Sequence, residues 1–98
     1  MKDKCYIAGK VGELPIEEYT ANFEKAKQEV IDLGYEPVSP VDLLHNHDKT
    51  WESYMREDLP EMLKCQAIYV LKNYQSSNGS KIEFRLAVDL NYKIILQK

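Results

Sequence analysis

Ala67-Ile68-Tyr69-Val70-Leu71, followed closely by Tyr74-Gln75-Ser76-Ser77-Asn78-Gly79-Ser80-Lys81-Ile82-Glu83-Phe84-Arg85-Leu86-Ala87-Val88-Asp89-Leu90, decides how the chain folds. Five apolar residues in a row read as a buried strand. The Ser/Asn/Gly segment reads as a loop, and a helix opens at about Gly79 or Ser80. At about 100° per residue, Gly79, Leu86, Ala87 and Leu90 share one stripe, with Arg85 and Asp89 opposite. Glu83 falls inside the apolar stripe, and two readings of it stay open. It closes a capping box, with Ser80 as the cap and Glu83 bonding back to the Ser80 N–H. Alternatively it points into the crevice above the carboxyl ends of the strands, where open α/β sheets bind ligands.

Working outward, the same pattern recurs. Lys4-Cys5-Tyr6-Ile7-Ala8 is a short β-type run closed by Gly9-Lys10-Val11-Gly12. Two glycines just past a strand allow close approach to a ligand or a positive φ, and equally suit a simple strand-to-helix turn. Lys10 within them meets a phosphate or is solvated. Pro15 suits a first helical turn, and Tyr19, Phe23, Ala26, Val30 and Leu33 then recur at helical spacing as core. Gly34 sits where a left-handed cap belongs. Tyr35-Glu36-Pro37-Val38 is a second strand, placed at an edge by its proline. Thr50 caps a helix from Trp51 to about Lys64, with Trp51, Tyr54, Met55, Met62 and Cys65 facing inward. Asp58 lies in the centre of that stripe, and Pro60 predicts a kink or break beside it. A local cap at the break is one explanation for Asp58. A functional carboxylate is the other, because buried charges are costly unless paired or used. Tyr92-Lys93-Ile94-Ile95-Leu96 is the last strand.

The order β-α-β-α-β-α-β predicts an α/β fold. It is a small flavodoxin-like three-layer sandwich whose four-stranded parallel sheet has the order 2-1-3-4. The switch point falls between the first and third strands. There the loop at Gly9 to Gly12 meets the loop at Tyr74 to Asn78, within reach of Asp58 and Glu83.

Composition narrows the function. Ninety-eight residues, 44% apolar and 30% charged, suit one domain spanning residues 1–98. A net charge of −3 without a basic stripe argues against a nucleic-acid polymer as partner. No apolar run approaches a membrane span, and the N-terminus runs straight into a strand with no signal peptide. We therefore expect a cytoplasmic protein with no membrane partner. Cys5 and Cys65 match no metal or redox spacing and read as buried reduced thiols. His45-Asn46-His47-Asp48 invites a zinc reading, but without a third ligand at a recognisable spacing a solvated loop is expected and no metal.

Tyr6-Ile7-Ala8-Gly9, Met55-Arg56-Glu57-Asp58, Cys65-Gln66-Ala67-Ile68-Tyr69-Val70-Leu71 and Ser77-Asn78-Gly79-Ser80-Lys81-Ile82-Glu83 together resemble the nucleoside 2-deoxyribosyltransferase superfamily. The resemblance spans nearly the whole chain. It is nearest to small phage and bacterial deoxyribosyltransferase-like proteins and more distant from the 2′-deoxynucleoside 5′-monophosphate N-glycosidases. Its most specific element is the Ser/Asp-x-Gly-x-x-x-Glu loop-to-helix segment. The resemblance implies that Glu83 is a nucleophile at C1′ of a deoxyribose, with Asp58 beside it on sugar or base. It implies that Tyr6 frames the sugar, and that Gly9, Lys10, Gly12, Ser77 and Gly79 contribute to substrate binding. Ser77 stands where the transferases usually carry an aspartate, and resembles the monophosphate N-glycosidases, whose loop holds phosphate. A homo-oligomer, a dimer through the helices beside the site, is also implied. The transferases complete their pocket with a C-terminal segment from a neighbouring subunit; with the chain ending at Lys98, no such segment is expected.

Chemically, N-glycosidic cleavage passes through an oxocarbenium-like state that a nearby carboxylate stabilises. A second group must protonate the departing base, and Asp58 is the inward-facing candidate. No metal or redox cofactor is required. The expected function is N-glycosidic cleavage or deoxyribosyl transfer on a 2′-deoxynucleoside or its 5′-monophosphate. The alternatives are a non-catalytic nucleotide-binding module and a structural protein whose carboxylates are caps.

Overall fold

The computed structural model describes residues 2–43 and 50–98. Strand β1 (Lys4–Ala8) leads into helix α1 (Ile16–Asp32), strand β2 (Glu36–Val38) and a 3-10 turn (Pro40–Asp42). Helix α2 (Trp51–Met62), strand β3 (Ala67–Val70), a second 3-10 turn (Tyr74–Ser76), helix α3 (Asn78–Asp89) and strand β4 (Lys93–Leu96) follow. All pairings are parallel and the order is β2-β1-β3-β4, as the alternation predicts. Pro37 is accommodated because β2 is an edge strand. The Glu36 N–H bonds inward to Asp3 at 2.9 Å, so the next residue along has its nitrogen on the open side.

Strand periodicity sorts the core into two layers. Cys5, Ile7, Ala67, Tyr69 and Leu71 pack against Phe23, Ala26 and Val30 of α1. Tyr6, Ala8, Ile68 and Val70 face the other way, onto Met62, Cys65 and Ala87. One helix therefore covers one face, and α2 and α3 share the other. Both cysteines are free and buried, and burial holds their thiols protonated, Cys5 pushed up to about 12 and Cys65 to about 11. No helix among the described residues is long and apolar enough to cross a membrane.

Helix ends follow local chemistry. Gly34, at φ +95°, ends α1 with its N–H on the Ile31 carbonyl and the Tyr35 N–H on Val30. This left-handed cap leaves Leu33 outside the stripe and 54% exposed, not in the core as the spacing predicts. Asn91, at φ 61°, ends α3 in the same way, and Leu90 is likewise exposed. Thr50 caps α2, accepting the Ser53 N–H at 3.2 Å. The break expected beside Asp58 is absent, and α2 continues through Pro60. Arg56, whose carbonyl loses its helical donor, and Pro60 both lie on the exposed side, where water can serve that carbonyl.

Gly9, buried at the end of β1, takes no positive φ. A Cβ there would overlap the Leu71 side chain, with Cγ at 2.7 Å. Gly9→Ala is expected to cost about 1–3 kcal/mol by overpacking, measured by urea denaturation. Unchanged stability would mean that Leu71 turns aside freely.

Candidate active site

The site begins where α3 begins. Ser77 Oγ accepts the Ser80 N–H at 3.3 Å, so Ser77 is the cap and the helix opens at Asn78. The capping box of Ser80 and Glu83, one of the two readings of that carboxyl, does not form, because Ser80 is the capped residue. Glu83 Oε2 instead accepts the Tyr6 hydroxyl at 2.7 Å, a bond joining α3 to β1. One further turn into the helix than the cap, Glu83 is held under the sheet's carboxyl edge and only 5% exposed.

Asp58, 8% exposed on α2, lies on the same face of the sheet. Both carboxyls line one cavity of about 510 Å³ with Gly9, Gly12, Ser77 and Gly79. Two residues named from the sequence are elsewhere. Tyr6 is fully buried and off the cavity wall, with its hydroxyl on the Glu83 carboxyl. Lys10 is absent from the cavity wall; its Nζ lies 3.5 Å from the exposed Glu13, while its N–H donates to Asn73 Oδ1 at 3.0 Å. Glu13 takes φ 72°, the left-handed turn that the glycines on either side of Lys10 do not take.

Gly79 has a packing role besides its place on the wall. A Cβ there would meet Met55 Sδ at 3.1 Å and Trp51 Nε1 at 3.4 Å, so the missing side chain lets α2 seat on the first turn of α3. Trp51, Tyr54 and Met55 then form an aromatic and thioether wall, with Tyr19 and Val41 also lining the cavity. Sequence periodicity assigned Tyr19, Trp51 and Tyr54 to the core. The missed signal is their location in first helical turns, which overhang the carboxyl ends of the strands and have no sheet beneath them.

Burial pushes the Glu83 carboxyl up to about 8; the Tyr6 hydrogen bond opposes this and the neighbouring Asp58 charge adds to it. Burial likewise raises the Tyr6 phenol, helped by the charges of Glu83 and Asp58. The enclosed pair can thus hold a proton at neutral pH, and an aromatic-walled cavity above it can accept a planar ring. Among the described residues there is no group of three His, Cys, Asp or Glu suited to a metal. The segment His45-Asn46-His47-Asp48 lies outside the described residues.

The fold agrees with what comparison finds. The chain belongs to the family described as a domain of unknown function, DUF4406, which matches residues 3–96. Among solved structures it is similar to a 2-deoxyribosyltransferase from the psychrotolerant bacterium Bacillus psychrosaccharolyticus, a biocatalyst for nucleoside synthesis, with a TM-score of 0.71. Identity is 22%, over 95% of this chain and 70% of the other, so the likeness establishes the deoxyribosyltransferase fold. No curated protein matches the chain in sequence.

Proposed function

We propose that the protein cleaves or transfers the N-glycosidic bond of a 2′-deoxynucleoside or its 5′-monophosphate. The observation that carries this reading is Glu83, a buried carboxyl held by Tyr6 at the floor of a cavity that Asp58 shares. In its ionised form Glu83 attacks C1′, forming a C–O bond as the C1′–N bond breaks. The bonding pair leaves with the base, and Asp58 delivers or directs the proton that neutralises it. Water or the nitrogen of a second base then displaces Glu83, giving hydrolysis or transfer. Absence of a 2′-hydroxyl eases the positive charge at C1′. A homo-oligomer belongs to the same reading.

The test is incubation with a panel of deoxynucleosides and their monophosphates, following free base by chromatography. Release of base from at least one is expected. No release from any of them, with binding retained, would establish the second reading, a non-catalytic nucleotide-binding module. One observation favours that second reading: with its carboxyl pushed up to about 8, Glu83 is largely protonated at neutral pH, a poor nucleophile until a ligand changes its surroundings.

Phosphate recognition belongs to the same reading, with support from the start of α3. Ser77, Gly79 and Ser80 bring the first turn of α3 to the cavity, where backbone donors and the helix dipole favour an anion. Lys10 is engaged by Glu13 instead. Lys10→Ala is therefore expected to weaken a 5′-monophosphate by no more than about fivefold, the scale of an exposed charge, as read by calorimetric titration. A much larger loss would put Lys10 on the phosphate.

A further inference from the structure

The buried stripe of α3 consists of Gly79, Ser80, Glu83 and Ala87, so Glu83 has a second polar side chain beside it. Ser80 is 2% exposed and lines the cavity. Its N–H is taken up by the Ser77 cap. Its hydroxyl makes no hydrogen bond within the described residues, and it is not sealed off by protein atoms as the Ser39 hydroxyl is. The Ser80 hydroxyl therefore opens on the cavity, a buried polar group without a protein partner. Such groups are costly to leave unpaired, and a ligand that completes one gains a hydrogen bond at a site already desolvated.

Placement selects the ligand atom. Ser80 precedes Glu83 by three residues, so the two side chains are neighbours one turn apart on the same side of the helix. A deoxyribose with C1′ at the Glu83 carboxyl has its base directed to Asp58 and the aromatic wall of α2. The far edge of the sugar then lies along α3 toward the helix start, at Ser80. Backbone N–H groups of the first turn donate only, which suits a phosphate. A serine hydroxyl both donates and accepts, and so pairs with another hydroxyl.

We propose that the Ser80 hydroxyl hydrogen-bonds the 3′-hydroxyl of the bound deoxyribose, so that the cavity selects nucleosides carrying that group. The proposal rests on the nucleoside reading above and deepens it, adding a residue that reads the sugar to the pair of carboxyls. It requires binding and not turnover.

Calorimetric titration of the full chain tests it, in the Glu83→Gln background so that no ligand is consumed. The probes are the 5′-monophosphates of 2′-deoxyadenosine and thymidine, their 2′,3′-dideoxy counterparts, and the unphosphorylated nucleosides. Loss of the 3′-hydroxyl should raise the dissociation constant about threefold to tenfold, the worth of one hydrogen bond. Ser80→Ala should raise it by a similar factor for the deoxy ligands and leave the dideoxy ligands unaffected, so that the two losses do not add. Removing the phosphate should weaken binding to both proteins equally. Alanine keeps the backbone N–H on Ser77 and breaks no side-chain bond, so the urea midpoint should stay or rise. A Ser80→Ala chain that binds every probe as its parent does, that weakens deoxy and dideoxy ligands alike, or that loses stability in place of discrimination would overturn the proposal. A loss that disappears with the phosphate would overturn it too, by putting Ser80 on the phosphate. No binding of any probe defeats the nucleoside reading and this proposal together. The expected pattern beside a parent chain that releases no base defeats the catalytic reading alone and supports this one.

Discussion

Glu83→Gln should abolish base release, lowering kcat by several orders of magnitude while substrate binding survives. The amide keeps the shape of the side chain and can still accept the Tyr6 hydroxyl, so the architecture of the site is preserved. What disappears is the ability to become an anion and bond to C1′, and that loss falls on the transition state and not on the ground state. The parent protein should show a matching pH dependence. Its kcat/KM, which reports the free protein, should be bell-shaped, rising as Glu83, pushed up to about 8, loses its proton and falling as Asp58 loses the one it gives to the base. Ser77→Ala is the control, removing the cap that the structure shows while sparing the carboxyl. It should cost about 1 kcal/mol of stability, and because Ser77 lines the cavity any change in turnover should fall on KM and stay far below that of Glu83→Gln. Turnover that persists in Glu83→Gln would remove the nucleophile from the mechanism.

Asp58→Asn is expected to lower kcat by roughly 10²–10⁴, the usual worth of a positioned general acid. Asparagine can donate a hydrogen bond to the base but cannot transfer a proton to it. Substrates whose bases leave readily as anions should be affected least, so the loss should shrink as the leaving group improves. A second readout separates this role from packing. The charge of Asp58 helps raise the Glu83 carboxyl, so removing it should move the rise in kcat/KM to lower pH. Uniform loss across all substrates, with the pH profile unmoved, would reduce Asp58 to a structural residue.

The sheet was legible because each strand is a compact apolar run and each helix repeats at its own period. Buried β1 and β3 alternate between the two core layers, and nothing in Cys5 to Ala8 or Ala67 to Val70 competes with that pattern. Asp58 and Glu83 were legible for the opposite reason, as carboxyls that interrupt apolar stripes. Cap chemistry was less legible, because Ser77 and Ser80 are three residues apart and either can begin a helix. Only the direction of the hydrogen bond, from the Ser80 N–H to Ser77 Oγ, decides between them. The place of Tyr6 was hidden because strand periodicity gives the face of a residue and not its depth. Its hydroxyl reaches Glu83 across 77 positions of sequence. The direction of Lys10 was not legible because a charge in a loop can turn either way; here its ammonium lies beside Glu13.

Among the described residues the sheet has no hairpin. Each of its pairings joins strands separated by a whole helix, from Lys4 against Glu36 to Ile68 against Ile94. Such a topology must close large loops before any pairing rewards it, which slows folding and lengthens the time that apolar strands stay exposed. Tyr6 leaves the ribosome 77 residues ahead of its partner Glu83. A nascent or truncated chain lacking α3 therefore leaves the Tyr6 phenol buried in a core without an acceptor, or prevents that core from closing. Assembly of the cavity and completion of the fold are in this sense one event. Point changes that slow closure will lower the yield of working protein even where the finished site is intact.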